Sequence, residues 1–361
     1  MMPDTMAPGA RARAMLFGSA TALMMLLAPQ AASAVELNLT FLANEQDEEY
    51  DAAQVFKNYV ENRTGGEVSV NIYVGAQLCG SANECFESIR SGVLDIYTAT
   101  AGGTSAVYPP VQGMDIPYML AGDRVAELTL KDPEFNRFIR EKVLEASGGG
   151  FLMLSMTQTG GWRNFANTQR EIRSPADVEG LRFRTIESEI QQQLVEEMGG
   201  SPTPVPWLEV YTALQTGVVD GSKNSISDIV NANLNEQLKY LTLDGHAYMA
   251  SMWFMGKQKF DSLTPEQQQV VLDGAALMSS VQFGIQPRKE LEAFKEWIDS
   301  GGEIYTPTEE EMGQFRAAAE PIRDWYLEEL GEDGQEFLDA FEAAIARAEK
   351  QVEESRASAM Q

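Results

Sequence analysis

The sequence predicts an α/β fold with two lobes. Segments in which apolar and polar residues alternate, as in strands, are followed along the chain by segments with the apolar stripe of a helix. This order is typical of a parallel sheet covered by helices. The chain has 361 residues, and this length suffices for two lobes that each bury an apolar core.

The first third of the chain contains three predicted strands and two predicted helices. In chain order these are the strand Val35 to Asn44, the helix Asp51 to Arg63, the strand Val68 to Val74, a helix through Cys85 that ends at Ser91, and the strand Leu94 to Thr98. Ligands of such sheets lie at the carboxyl ends of the strands. The loops Asn44-Glu45 and Thr100 to Gly102 are therefore expected to face a cleft.

The middle of the chain leads into the second lobe. Leu181 and Phe183 alternate with Arg182 and Arg184, which predicts a short strand with both guanidinium groups on one face. A guanidinium fork can hold a carboxylate in two hydrogen bonds. The other predicted elements are the strand Phe151 to Ser155, a loop at 160–167 where the chain crosses between lobes, a connector stiffened by Pro202, Pro204 and Pro206, a short helix from Trp207 to near Gly217, the helix Asn224 to Tyr240 and the strand His246 to Met255.

The C-terminal part is predicted to be helical. A capping box with proline at the first helical position, Thr264 to Gln267, begins a helix that runs to Ile298. Pro287 lies inside this helix and is expected to kink it. A second capping box lies at Thr308 to Glu311, and a charged tail that is expected to fray begins at Glu349.

Residues 1–34 have the pattern of a signal peptide. Arg11 and Arg13 precede the apolar run Met15 to Ala28, and Ala32-Ser33-Ala34 fits a small-residue cleavage site. The apolar run is too short for a comfortable membrane span. The sequence therefore predicts cleavage after Ala34 and export.

The chain is strongly acidic. Its formal net charge is −27 at pH 7, and removal of the signal peptide, with Asp4, Arg11 and Arg13, makes it −28. Nucleic-acid binding needs a basic surface, so this composition excludes it. An anionic ligand is repelled at long range, and its capture is expected to depend on a few arginines inside a cleft.

Residue types that carry catalysis or bind metals are scarce. His246 is the single histidine, which excludes a His-rich metal site, and the chain has no nucleophile elbow or phosphate-binding loop. We therefore interpret His246 as a structural, hydrogen-bonded residue and expect no enzymatic activity, metal or cofactor. In an oxidising compartment, a disulfide between Cys79 and Cys85 is favoured over free thiols or a metal pair without further ligands.

Three segments between residues 177 and 221 carry the most specific pattern. They are Asp177 to Arg184 (DVEGLRFR), Gly199 to Pro204 (GGSPTP) and Glu209 to Gly221 (EVYTALQTGVVDG). In this order and spacing they resemble the solute-binding proteins of tripartite ATP-independent periplasmic (TRAP) transporters, the DctP family. The resemblance extends from about residue 36 to residue 345.

This resemblance implies a periplasmic binding protein with two α/β lobes, a central cleft and a long kinked helix that spans both lobes. Lobe I is expected to comprise residues 35–160 and 250–289, and lobe II residues 161–249 and 290–348, with the frayed tail at 349–361. The implied function is to capture a small organic anion as a monomer and to deliver it to the small and large integral membrane subunits of the transporter.

The resemblance also implies four residues of the ligand site. Arg184 matches the family arginine that pairs with the ligand carboxylate, and Arg163 matches a second arginine of the cleft. Asn224 matches the asparagine after the Asp-Gly turn, and Trp207 stands where the family places a residue that faces the ligand. The alternatives are ordinary ion pairs or surface positions for the arginines and a core position for Trp207.

Three more residues, Glu45, Gln77 and Tyr248, are candidates for polar contacts with the ligand. The sequence departs from the family pattern in two places. Cys79 stands where the family usually has a glycine after Gln-Leu, and Lys223 replaces an acid just before Asn224. Lys223 could therefore add a positive charge to the site.

The ligand class remains open at this point. Dicarboxylates, sugar acids, aromatic acids and sulfonates all present an anionic group for Arg184. Pro206-Trp207 resembles the ectoine-binding branch of the family, which favours a zwitterionic osmolyte as the alternative. A partner of a sensor domain is a further possibility, and a secreted enzyme acting on small acids is disfavoured by the missing catalytic groups.

Overall fold

The structure is a computed structural model that describes residues 34–360. The predicted signal peptide, except for its last residue, therefore lies outside the described residues. Among residues 34–360, no helix combines the length and apolar character needed to cross a membrane.

Within the described range, nine strands form one mixed sheet. They are β1 (Val35–Phe41), β2 (Val68–Val74), β3 (Ile96–Thr100), β4 (Phe151–Asn167), β5 (Arg182–Thr185), β6 (Ser201–Pro204), β7 (Gly221–Asn224), β8 (Tyr240–Gly256) and β9 (Glu303–Tyr305). Their order in space is β2-β1-β3-β8-β4-β7-β5-β6, with β9 paired to β8. The predicted parallel pairing occurs at both ends, where β1 lies parallel to β2 and β3, and β5 lies parallel to β6 and β7.

The centre of the sheet is antiparallel because β4 and β8 run past each other in opposite directions. Each of these strands has 17 residues, so both are longer than predicted. The segment predicted as a loop at 160–167 is part of β4. The pairing register shifts between Gln158 and Trp162, opposite Ala250 and Tyr248, so the predicted lobe boundaries at 160/161 and 249/250 lie at this bulge.

Twelve α-helices cover the sheet within the described residues. They are α1 (Glu48–Arg63), α2 (Ala82–Arg90), α3 (Ala101–Thr104), α4 (Asp123–Leu130), α5 (Pro133–Ala146), α6 (Glu189–Glu197), α7 (Val210–Gln215), α8 (Ile226–Asn231), α9 (Lys257–Asp261), α10 (Pro265–Asp299), α11 (Glu309–Ala319) and α12 (Pro321–Ala359). Short 3-10 helices lie at Gly75–Gln77, Pro109–Asp115, Pro175–Val178, Trp207–Glu209 and Leu234–Glu236.

Two predicted segments have a different structure. Residues 224–240 were expected to form one helix, but Asn224 ends β7, and Ser225 caps the short α8 with its side chain. Gly221 to Asn224 instead extend the sheet because they pair with both β4 and β5. The proline-rich connector forms β6, an edge strand, where the missing N–H groups of prolines leave no partner unsatisfied.

The long helix has the predicted start. Thr264 and Gln267 exchange the two hydrogen bonds of a capping box at 3.1 and 3.2 Å. The helix α10 contains Pro287 and contacts α1, β4 and α8. Residues 349–359, for which a frayed tail was predicted, continue α12.

The apolar core comprises three clusters. One joins α2, β3, β4, β8 and the C-terminal helices and includes Phe86, Phe151, Phe254 and Phe337. A second lies between β1, β2, α1 and α10, and a third surrounds Trp297 with residues of α7 and α8. The clusters hold the ends of β1, β3, β5 and β7 around a shared cavity.

Candidate ligand-binding site

A cavity of about 430 Å³ lies at the ends of these strands. A volume of this size is typical of small-molecule sites. Thr100 and Gly102, from the loop predicted to face the cleft, are part of its wall. The other predicted loop contributes Ala43 and, further along, Asp47, but Asn44 and Glu45 are not part of the lining.

Arg184 is the central cation of the cavity. Its residue is 4% exposed, and its Nε donates a hydrogen bond of 2.9 Å to the Val205 carbonyl. The guanidinium lies over the Trp207 ring, 5.4 Å from its centroid. Within residues 34–360, its two terminal nitrogens have no hydrogen-bond partner, and no carboxylate oxygen lies within 4.0 Å of the guanidinium nitrogens. Burial, together with the charge of Arg163, lowers the pKa of Arg184 to about 9, so the side chain is charged at neutral pH.

Arg163, on β4, is the second arginine of the cavity wall. It is 2% exposed and donates a 3.0 Å hydrogen bond to the carbonyl of Lys223. Its Nε is 3.7 Å from the Asp115 carboxylate and has no hydrogen-bond partner among the described residues. Arg163 therefore has one counter-ion at the edge of contact, and it retains capacity for a ligand.

Asn224 and Trp207 are the other two of the four site residues that the family resemblance implied. Asn224 is buried at the end of β7, and its side-chain oxygen accepts a hydrogen bond from Ser222 at 2.8 Å. Trp207 is half-buried at the start of a 3-10 helix. Both residues line the cavity with the two arginines.

The other three predicted contacts do not line the cavity. Glu45 and Gln77 are exposed, and neither belongs to the cavity wall. Tyr248 is buried on β8, where its ring packs edge-on against Trp162 with the centroids 5.1 Å apart. Lys223 also lies outside the wall. Its Nζ donates to the Gln191 carbonyl at 3.0 Å, and burial lowers its pKa to about 7.

His246 is a structural residue, as predicted. It is 1% exposed, and its Nδ1 lies 2.8 Å from the Asp244 carboxylate. The same carboxylate accepts hydrogen bonds from the Phe165 backbone and from Tyr118. Burial lowers the pKa of His246, which favours the neutral ring at physiological pH.

The two cysteines are joined by a disulfide at the edge of the cavity. The residues between them, Gly80 to Glu84, all line the cavity wall. The Ser81 side chain also caps α2 by accepting from the Glu84 backbone. The bridge therefore holds a segment of the wall at the start of a helix.

We predict that the double variant Cys79→Ser/Cys85→Ser loses about 2 kcal/mol of unfolding free energy, because closing a short loop removes that much chain entropy from the unfolded state. Urea unfolding should show this loss in the variant. A reducing agent should destabilise the parent protein and leave the variant unchanged. Equal stability of oxidised parent and variant would contradict the prediction.

An acid cluster, formed by Asp47, Glu48, Glu49 and Asp228, lies next to the arginines. Each of the four residues is at most 6% exposed. The first three begin α1, where Asp47 caps the helix by accepting from the Glu49 backbone at 3.1 Å. Asp228 lies in α8, and Asp47, Glu49 and Asp228 form part of the cavity wall.

The pKa values of all four residues in the acid cluster are raised. Burial is the main cause, and mutual repulsion adds to it, so the pKa values of Glu48 and Glu49 are raised well above their usual range. The pKa of Asp47 is also raised by burial. Burial and the charge of Asp47 raise the pKa of Asp228 to about 7, while Arg163 opposes the shift.

Gly160, in the β4 bulge, allows the acid cluster to approach the strand. Its N–H donates to the Glu48 carboxylate, and its φ is +68°. A Cβ atom at this position would lie 2.0 Å from the Ser225 Oγ and 2.5 Å from an Asp228 oxygen. The site therefore needs glycine here for both backbone conformation and space.

We predict that Gly160→Ala destabilises the protein by more than the roughly 1–2 kcal/mol of a left-handed backbone alone. Gly148→Ala is the matched control, because Gly148 has a φ of +64° and nothing within 4 Å of an added Cβ. Urea unfolding of the two variants measures the difference. A loss no larger for Gly160→Ala than for Gly148→Ala would show that the close approach is unimportant.

Sequence reasoning found the cations of this site but not its acids. The chain has 54 Asp and Glu residues, so carboxylates alone did not distinguish any position. Acidic residues in a first helical turn are also common, because they interact favourably with the helix dipole. A signal that sequence reasoning missed is that these acids follow the ends of strands, at the edge of the sheet where ligands bind.

Comparisons with known proteins show the family of this chain. The family model for DctP, bacterial extracellular solute-binding protein, family 7, matches residues 40–329. A solute-binding protein of Verminephrobacter eiseniae is 32% identical over 62% of this chain and 65% of its own length. The ectoine-binding periplasmic protein TeaA of Halomonas elongata is 29% identical over 83% of this chain and 87% of that protein.

A solved structure has the same fold. The crystal structure of a TRAP periplasmic solute binding protein from Desulfovibrio salexigens, with bound orotic acid, superposes with a TM-score of 0.81 at 25% identity. The match covers 87% of this chain and 99% of that chain. The chain therefore belongs to the DctP family of bacterial extracellular solute-binding proteins and has the family's two-lobed α/β fold.

Proposed function

We propose that this protein is the periplasmic receptor of a TRAP-type secondary transporter and captures a small organic acid in the cavity. The observation that carries the proposal is Arg184, a buried guanidinium with two free terminal nitrogens and no described carboxylate within 4.0 Å. A ligand carboxylate supplies the missing charge and accepts both hydrogen bonds. Orotic acid and ectoine, which similar proteins bind, each present such a group.

In this proposal the remaining residues have distinct roles. Arg163 and Asn224 contact the same anionic group, and Trp207 holds the Arg184 guanidinium in place by stacking.

Residues 35–160 and 250–289 form one lobe, and 161–249 with 290–348 form the other. The ligand touches both lobes and so favours the closed state, in which the protein delivers it to the small and large membrane subunits. Export to the periplasm follows cleavage after Ala34, and the protein acts as a monomer without catalysis.

A thermal-shift screen tests the proposal directly. The screen covers dicarboxylates, sugar acids, aromatic acids, sulfonates and ectoine, and calorimetry then measures each positive compound. A true ligand at about 100 times its dissociation constant adds about 2.7 kcal/mol to the unfolding free energy. Absence of stabilisation by every acid would refute the proposal, and turnover of a small acid by the purified protein would indicate an enzyme instead.

A further inference from the structure

We propose that the captured acid also carries a positively charged nitrogen with N–H groups, such as a protonated amine or an amidinium. This inference rests on the proposed function, because it concerns the same cavity and the same ligand. The arginines would hold the carboxylate, and Asp47, Glu49 and Asp228 of the acid cluster would hold the cation. The ligand is then a zwitterion with its two charges on different groups.

The cavity wall presents two regions of opposite charge. Arg184 and Arg163 come from β5 and β4, whereas the acid cluster comes from the starts of α1 and α8. Among the described residues, the charged side chains of the wall are two arginines and six acids, namely Asp47, Glu49, Glu84, Glu187, Glu209 and Asp228. A site for a simple anion gains nothing from three buried carboxyl groups, since their ionised forms repel the anion.

The acid cluster lacks a full counter-ion of its own. Within residues 34–360, no lysine or arginine nitrogen lies within 4.0 Å of its carboxylates. The charge of Lys289 lowers the pKa of Asp47, but its Nζ pairs with Asp51 at 2.8 Å. Arg163 is the other neighbouring cation, and it faces Asp115 at 3.7 Å. A ligand cation would supply the charge that the protein omits.

Unsatisfied hydrogen-bond acceptors also support a ligand with N–H groups. One carboxylate oxygen of Asp228, which forms part of the wall, and one of Glu48 are buried and have no hydrogen-bond partner among the described residues. Leaving a buried polar atom without a partner is unfavourable. Ligand N–H groups directed at Asp228 would remove this penalty, whereas a quaternary ammonium group would not.

A metal ion fits this region less well than an organic cation. The described residues contain no group of three or more acidic, histidine or cysteine side chains arranged to hold a metal ion. The carboxylates of Asp47 and Glu48 are also engaged with the Glu49 and Gly160 backbone N–H groups. Separate N–H donors on one ligand can reach carboxylates that do not converge on a single point.

Matched pairs of acids test the inference by calorimetry near neutral pH. One pair is 2-amino-2-deoxy-D-gluconate and D-gluconate, a second is glutamate and 2-hydroxyglutarate, and a third is ectoine and orotate. We expect at least one acid with a nitrogen cation to bind about tenfold or more tightly than the member of its pair without that cation, a difference of about 1.4 kcal/mol. Glu49→Gln should bring the two members of that pair to within about threefold, a difference well below that value.

The control is Glu45→Gln, which neutralises a nearby exposed acid outside the cavity wall and should retain the preference. If the members without a nitrogen cation bind as tightly as those with one, and Arg184→Ala abolishes that binding, the inference fails while the proposed function stands. If no member of any pair binds but another acid of the screen does, the inference also fails and the proposed function stands. If no acid of the screen binds, both fail. A preference that survives Glu49→Gln would also overturn the inference, because it would place the cation elsewhere.

Discussion

Replacing Arg184 with alanine is expected to weaken binding of the captured acid by a factor of about 30 to several thousand, because a buried charge-assisted pair contributes about 2–5 kcal/mol. The guanidinium is held by the Val205 carbonyl on one side and by the Trp207 ring on its face. Calorimetry with the best compound of the screen measures the loss. Far-UV circular dichroism should show that the variant is folded.

Two further variants separate the guanidinium geometry from its charge. Arg184→Lys keeps the charge but replaces a planar fork by a point charge, so most of the affinity should still be lost. Arg182→Ala is the matched control on the same strand. Its side chain is 45% exposed and pairs with Asp220 at 2.8 Å, and it should leave the affinity unchanged. Equal weakening by Arg182→Ala, or full affinity of Arg184→Lys, would contradict the assigned role.

The fold was predictable where local patterns agree with the final packing. Alternation located β1, β2 and β5, and the capping boxes at Thr264 and Thr308 located the starts of α10 and α11. The errors lie where tertiary pairing overrides the local pattern. Residues 160–167 contain two glycines, which favour a break in the strand, yet pairing with β8 continues β4 through the bulge. The prolines of β6 likewise depend on its position at the sheet edge.

The candidate site was predictable only in part. The resemblance to the DctP family singled out Arg184, Trp207 and Asn224, and all three line one cavity, where each lies at or near the end of a strand or the start of a helix. Alternation placed Arg182 and Arg184 on one face, but not their partners: Arg182 is neutralised by Asp220, whereas Arg184 is not. The acid cluster joins α1 to α8 across about 180 residues of chain, and no local pattern reports such a contact.

Asp228→Asn is expected to stabilise the ligand-free protein at pH values above about 7 and to have little effect near pH 4. Burial, with Asp47 as second cause, raises the pKa of Asp228 to about 7, and Arg163 opposes the shift. The folded state therefore holds a proton that the unfolded chain releases at about pH 4, and stability falls as the pH rises between these values. Asparagine keeps the shape and cannot ionise, so it avoids a cost of about 2–4 kcal/mol at the upper end.

Urea unfolding at about pH 4, 6 and 8 measures this difference. Asp220→Asn is the control of opposite sign: its pairing with Arg182 lowers the pKa of Asp220, so that the carboxylate stabilises the fold above about pH 4 and its loss destabilises at pH 8. A gain for Asp228→Asn that is the same at every pH would show that ionisation is not its cause. A carboxylate whose neutral isostere stabilises the empty protein is expected to act on a bound ligand. A ligand cation that pairs with it would convert this cost into binding free energy.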